Sequence, residues 1–279
     1  MAGPLKGSVL GRLLYRSAHL RPSHDLDVWI EPGERMRAEV ALLARGFREA
    51  ARGKGGWLEA MSHERAFWRG DDLPVELHRN ITQPHRFRVS LDELREARLP
   101  WHFDDVETLR FNDEVLAAHA IVHAAHHKFV VPLIHWIDLV LLLRLADPEA
   151  VAARCARWGA GRALWIVSST LERHFACAAL RPFAPEPPAL TRLALRHGAP
   201  RSRSGSAWRE HWFGYWLMER RTDRWRFVLE YGVRSLFDGL GRYRSRQLRS
   251  NWGWRSKRRV RLAGSSWSAG RKVSPQASQ

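Results

Sequence analysis

The hydrophobic period of this chain changes near residue 83, and that change constrains the fold more than any single motif does. Ahead of it, Asp25-Leu26-Asp27-Val28-Trp29-Ile30 alternates polar and apolar residues at its start, and the stretch from Pro74 to Ile81 alternates as Val75 and Leu77 against Glu76 and His78, the period of half-buried strands. His63 to Trp68 reads as a further strand. Two helices are interleaved with these: a short one over Ser8 to Tyr15, and one over 33–45. The second is opened by Pro32, given apolar positions by Val40, Leu42 and Leu43, and closed by Gly46. Gly53-Lys54-Gly55-Gly56 reads as a flexible turn. It lacks the frame of a phosphate-binding P-loop.

Beyond residue 83 the spacing is helical. Ser90 and Glu93 make a capping-box pattern for a helix to Arg98, and Asn112 is placed to cap a helix running to about His127. Pro132 opens another, Pro148 to Trp158 is closed by Gly159, and Gly161 to Leu180 is a further apolar-faced segment. Strands mixed with helices, then helices alone, predict an α+β chain with an all-α half appended.

Charge divides the chain differently. Of a net charge of +17, most belongs to residues 201–279, which hold 19 Lys and Arg against 5 Asp and Glu. We therefore expect a core over 1–88, a helical domain over 89–200, additional helices over 201–241 and a basic, largely disordered tail over 242–279. In that tail Arg, Ser, Gly and Trp recur without a period. Three readings of it stand: a segment that contacts a polyanion such as RNA, DNA or anionic lipid, a solvated extension without a partner, or translated sequence beyond an original gene end. Trp208, Trp212 and Trp216 form a helical stripe that fits core packing better than a membrane surface.

Composition excludes several classes. Hydrophobic residues at 45% and charged residues at 27% are incompatible with global disorder. The longest apolar run, Phe129 to Leu143, contains His135 and Asp138, so no membrane-spanning helix is expected. The first residues carry no apolar signal core. Cys155 and Cys177 show no CxxC pattern and read as buried thiols of a cytoplasmic protein.

Three acidic residues point to chemistry. Asp25 and Asp27, two apart on a strand, present both carboxylates on one face. Glu76 lies on a second strand between Val75 and Leu77, which should face the core. If the two strands pair, three carboxylates converge, an arrangement that a hard divalent cation stabilises. Lys6-Gly7-Ser8 precedes them at the mouth of a helix, where glycine allows close backbone approach to a phosphate, the helix terminus favours anions, and Lys6 and Ser8 add a charge and a donor.

These segments, in order, resemble a known family. Leu5-Lys6-Gly7, Leu13-Leu14-Tyr15, Asp25-Leu26-Asp27, Leu43 through Gly46-Phe47, Val75-Glu76-Leu77-His78, His123-Ala124-Ala125-His126-His127 and Trp136-Ile137-Asp138-Leu139 are similar to the uncharacterised nucleotidyltransferase family of the DNA polymerase β superfamily. The resemblance spans roughly residues 4–175. It implies a mixed-sheet core, a helical second domain, and transfer of a nucleoside monophosphate from an NTP, with pyrophosphate released. By position, Lys6, Gly7 and Ser8 stand for the glycine-bearing phosphate loop. Asp25 and Asp27 stand for the paired ligands of Mg2+ or Mn2+, and Glu76 for the third carboxylate. Only Met1 to Pro4 precede the Lys-Gly loop, so the core is expected to be truncated, without its first helix and strand.

Outside those carboxylates, His119, His123 and His126 share a helical face with His127 beside it. Their number suggests transition-metal ligation, but no HExxH or Cys/His pattern accompanies them and a neutral capping or phosphate-contact role is equally consistent. The resemblance implies that His123 and His127 line the cleft toward the nucleotide, and the alternative is a partly buried group satisfied by neighbouring helices. His78 is placed to orient Glu76 or its ion, and Asp138 to make an interhelical hydrogen bond or salt bridge. The acceptor is open among small molecules, sugars, peptides and proteins. The competing functions are a non-catalytic binding or scaffold protein of the same descent and a nucleic-acid-binding protein driven by the tail.

Overall fold

A computed structural model describes residues 2–50, 63–83, 86–198 and 207–229. They belong to one compact unit, Met1–Ser235. Gly53 to Gly56 and the tail over 242–279 lie outside the described residues.

The strands form a mixed five-stranded sheet, so the α+β reading stands. β1 (Ala2–Pro4) pairs antiparallel with β2 (Leu26–Ile30), and β2 pairs parallel with β5 (Val75–His78). β5 then pairs antiparallel with β4 (Glu64–Trp68), and β4 with β3 (Arg48–Glu49), giving the order β1-β2-β5-β4-β3. The edge at which no strand was expected thus carries a short one. Its pairing is supported from outside, because the Thr108 hydroxyl donates to the Ala2 carbonyl at 3.0 Å.

Register sorts the side chains onto two faces. Ile30, Phe67, Val75 and Leu77 form a small apolar cluster, joined by Leu26, Val28, Ala38, Leu42 and Phe47, under helix α2 (Arg35–Ala44). Of the apolar positions foreseen in α2, Leu42 packs there while Val40 and Leu43 are exposed. The opposite face carries Asp27, Trp29, Glu64, Glu76 and His78, and turns toward α1 (Lys6–Leu14) and the helical half. Trp29 at one end of that face belongs to the main core, together with residues of α1 and of the helices between residues 91 and 217.

α3 (Leu91–Glu96) forms where the Ser90–Glu93 pattern predicts a helix, but the capping box does not close, since the Ser90 side chain makes no cap bond. Glu93 is drawn away: its carboxylate accepts from Arg154, Arg157 and the Trp158 indole, each at 2.7 Å. The next element was not foreseen. Arg98–Phe103 (β6) and Val106–Phe111 (β7) make an antiparallel hairpin turning at Asp104, whose φ is 53°.

Helix α4 (Asp113–His126) forms the centre of the core, with Val115 to His119, Ile121, Val122, Ala124 and Ala125 all buried. Asn112 caps it as expected, its side chain accepting from the Val115 amide. α5 (Leu133–Leu142), α6 (Pro148–Arg157) and α7 (Gly161–Phe175) pack around α4. α7 ends at a left-handed Ala176, earlier than the Leu180 expected. α8 (Ala189–Gly198) and α9 (Ala207–Leu217) complete the described helices, with a last helical segment over 221–229. α9 runs unbroken through Gly214, where a side chain would meet the Phe227 ring at 2.9 Å. In the expected tryptophan stripe, Trp216 packs against the core and Trp212 is 41% exposed. No described helix is long and apolar enough to cross a membrane.

Candidate functional site

The parallel pairing of β2 with β5 decides which acidic residues meet. Asp27 and Glu76 are register partners and therefore neighbours on one face. Two residues further along β5, His78 projects to the same face. Ligand atoms of Asp27, Glu76 and His78 all lie within 4.8 Å of one another. Asp25 sits one residue ahead of β2 and outside that set. Its backbone carbonyl accepts from the Ser23 hydroxyl at 2.9 Å, and its carboxylate from the same hydroxyl at 3.3 Å.

Asp27 is the most constrained member, 2% exposed. One of its oxygens, Oδ1, accepts from Lys6 Nζ at 2.8 Å and lies 2.7 Å from His78 Nε2. Burial opposes its charge, but Lys6 and His78 together hold its carboxyl far below the usual range. Burial also opposes the Lys6 charge, which Asp27, Glu64 and Glu76 nonetheless hold on the ammonium. His78 follows the same logic. Burial and Lys6 favour its neutral form, yet its bonds to Asp27 and Glu76 raise it to about 9.

The other two carboxyls are left under repulsion. Burial raises the Glu76 carboxyl, and Glu64 and Asp27 push it further, with His78 opposing. Burial and then Asp27 raise Asp25. A further cation at this face would relieve both, so the two to three carboxylates fit a divalent ion.

The Lys6-Gly7-Ser8 turn is built against this cluster. Leu5 donates its amide to the Asp27 carbonyl at 2.8 Å, which fixes the turn beside β2. Lys6 takes a left-handed φ of 44° and returns its ammonium to Asp27. At Gly7 a side chain would overlap the Ser23 hydroxyl and approach Arg21 Nη1 at 2.6 Å. Glycine is thus required here by the Arg21–Ser23 loop packed against it. Ser8 donates its hydroxyl to the Leu5 carbonyl at 3.2 Å.

Beneath the turn lies a buried network. Arg21 Nη2 donates to Asp138 Oδ2 at 2.8 Å, and the Tyr15 hydroxyl donates to Asp138 Oδ1 at 2.8 Å. Asp138 on α5 does make a salt bridge, and its partner is the loop that leads to Asp25. No periodicity marks Arg21, four residues ahead of Asp25, so the sequence carries no signal for it.

The histidines form a continuous series of rings. His78 lies 5.5 Å from His63, His63 6.0 Å from His126, and His126 5.1 Å from His127. The series continues to His123 at 4.6 Å and to His135 on α5, stacked at 5.3 Å, with His119 6.1 Å from His123. Burial keeps those of α4 neutral, lowering His119 to about 3 and His123 and His126 well below the usual range, while His127, just past the helix, is exposed. His63 and Glu64, which sequence alone did not single out, join this side of His78. Strand alternation in β4 places Glu64 beside His78 and was the signal for it.

The model of an uncharacterised nucleotidyltransferase family matches residues 2–176, well over half of the chain. The chain belongs to that family. No curated protein matches it. As a nucleotidyltransferase family member it carries, within the matched region, every carboxylate described above, the Lys6 turn and the histidine series.

Proposed function

We propose that this nucleotidyltransferase family protein transfers a nucleoside monophosphate from an NTP to an acceptor in a divalent-metal-dependent reaction. The observation that carries the reading is the registered pair Asp27–Glu76 on parallel strands, facing the Lys6 turn at the start of α1. Asp27 and Glu76, with Asp25 at the end of the loop, would hold Mg2+ or Mn2+. Bound there, the ion would offset the charge of the triphosphate and of the departing pyrophosphate.

The chain's own groups supply the rest. An acceptor hydroxyl, phosphate or amine forms a bond to the α-phosphorus, and the bond from that phosphorus to pyrophosphate breaks. Glu76, whose carboxyl is raised by burial and neighbouring charge, is the group placed to take the acceptor proton. Lys6, which lies 2.8 Å from Asp27 Oδ1, would hold the β- and γ-phosphates. Gly7 and Ser8 contribute the amide-rich start of α1 to the same phosphates. His123, half-buried, and His127, exposed at the end of α4, would face the nucleotide as uncharged donors. The two free cysteines, Cys155 buried and Cys177 half-buried, fit a cytoplasmic setting.

Calorimetric titration of Mg-ATP and Mg-GTP into the wild-type chain and into Glu76→Gln tests the assignment. Magnesium-dependent binding in the wild type, lost or strongly weakened in Glu76→Gln, is the expected result. A second reading, a binding protein without catalysis, rests on Lys6 and His78 already neutralising Asp27. It predicts no magnesium-dependent heat from a folded wild type.

A further inference from the structure

The two ring nitrogens of His78 face different neighbours. Nε2 is held by Asp27. Nδ1 is buried, in a ring that is 1% exposed, with no hydrogen-bond partner among the described residues, and lies 3.8 Å from Glu64 Oε2. His63 Nε2 lies 3.4 Å from the same Glu64 oxygen. Ligand atoms of His63, Glu64 and His78 all fall within 4.8 Å of one another.

We propose that His63, Glu64 and His78 form a second metal site, separate from the carboxylate site, for a borderline divalent ion of the Zn2+ class. Three features carry the assignment. Two imidazoles and a carboxylate are the donor set such ions prefer, whereas Mg2+ prefers oxygen alone. With metal–ligand bonds of about 2.0–2.2 Å, donors at tetrahedral positions lie about 3.4 Å apart. The two donor separations at Glu64, 3.4 and 3.8 Å, are therefore already close to what the ion needs.

The third feature is the far side of the ring. A metal-bound histidine normally donates its other N–H to a carboxylate, which fixes the tautomer and orients the ring. Asp27 Oδ1, 2.7 Å from His78 Nε2, supplies that carboxylate. Metal at Nδ1 leaves the proton on Nε2, where Asp27 accepts it, so both ring nitrogens are satisfied together. The site also joins β4 to β5 at the end of the sheet nearest α4. It requires neither the nucleotide nor Glu76, and so stands independently of the transfer reaction.

Cobalt titration of the metal-free protein tests this directly. The wild type is expected to take up Co2+ with the visible absorption of a four- or five-coordinate ion, displaced by Zn2+ and unaffected by excess Mg2+. His63→Gln and Glu64→Gln should each remove that absorption while circular dichroism shows the fold retained. Glu76→Gln should keep it. Asp27→Asn should weaken binding by about 10–100-fold. Absence of the absorption in the folded wild type overturns the proposal. So does an absorption that survives both His63→Gln and Glu64→Gln, or that disappears in Glu76→Gln.

Discussion

Asp27 and His78 sit on neighbouring parallel strands with His78 Nε2 2.7 Å from Asp27 Oδ1, an oxygen that also accepts from Lys6. This carboxylate is therefore structural as well as a candidate ligand. Asp27→Asn would leave two cationic groups buried around an amide, at a cost of about 3 kcal/mol. Glu76→Gln has the opposite sign, because it removes a carboxylate under burial and repulsion. Denaturant unfolding of the metal-free variants should show Asp27→Asn clearly destabilised and Glu76→Gln equal to the wild type or more stable. Equal destabilisation of both would contradict the charge assignment.

Stability should depend on pH from both sides. His78 titrates near 9 in the fold and near 6.5 when unfolded. Its contribution is complete below about pH 6.5 and is lost as pH rises through 9. His119, 3% exposed, is displaced the other way, to about 3. Its contribution is complete above about pH 6.5 and diminishes as pH falls toward that value. The thermal midpoint of the metal-free protein should thus peak near pH 6.5, each group adding a slope of about 1.4 kcal/mol per pH unit within its window. His119→Gln should make the acid limb shallower and leave the alkaline limb alone. Melting curves across that range read both.

Close packing at the Lys6 turn gives a prediction about Gly7. A methyl group there overlaps the Ser23 hydroxyl. Gly7→Ala should cost about 1–3 kcal/mol, and Ser23→Gly in the same chain should recover part of it. A double-mutant cycle by denaturant unfolding measures the coupling. Additive effects would mean that Gly7 is required for some other reason.

Local signals were legible in the sequence, and non-local ones were not. Alternation in Asp25 to Val28 and Val75 to His78 located β2 and β5, and with Glu76 flanked by Val75 and Leu77 it indicated which face would carry the carboxylates. Asn112, a cap bonded three residues ahead, was equally readable. Glu93 misled because its partners lie more than sixty residues away on α6 and at its end, and their charges outcompete the local cap. The β6–β7 hairpin was obscured by Pro100 inside a strand and by a turn at Asp104-Asp105 without glycine. Asp25 was placed level with Asp27 by strand alternation, yet β2 begins at Leu26 and leaves Asp25 in the loop held by Ser23.

That loop is anchored from beneath, and the anchor can be cut selectively. Arg21 and Asp138 are both almost fully buried, 7% and 1% exposed, and Arg21 Nη1 lies against the Gly7 turn. Asp138→Ala would leave the guanidinium buried and unpaired, a loss of about 3–5 kcal/mol. Replacing both partners by leucine removes the buried charges together, so the double variant should regain most of that loss. Tyr15→Phe removes one hydrogen bond to the same carboxylate and should cost about 1 kcal/mol. Because Arg21 and Ser23 set the position of Asp25, the double variant should be stable and yet bind Mg-NTP less tightly than the wild type. Denaturant unfolding and calorimetry on one preparation separate the two effects. A double variant that is stable and binds as tightly as the wild type would show that this pair supports the fold without positioning the loop.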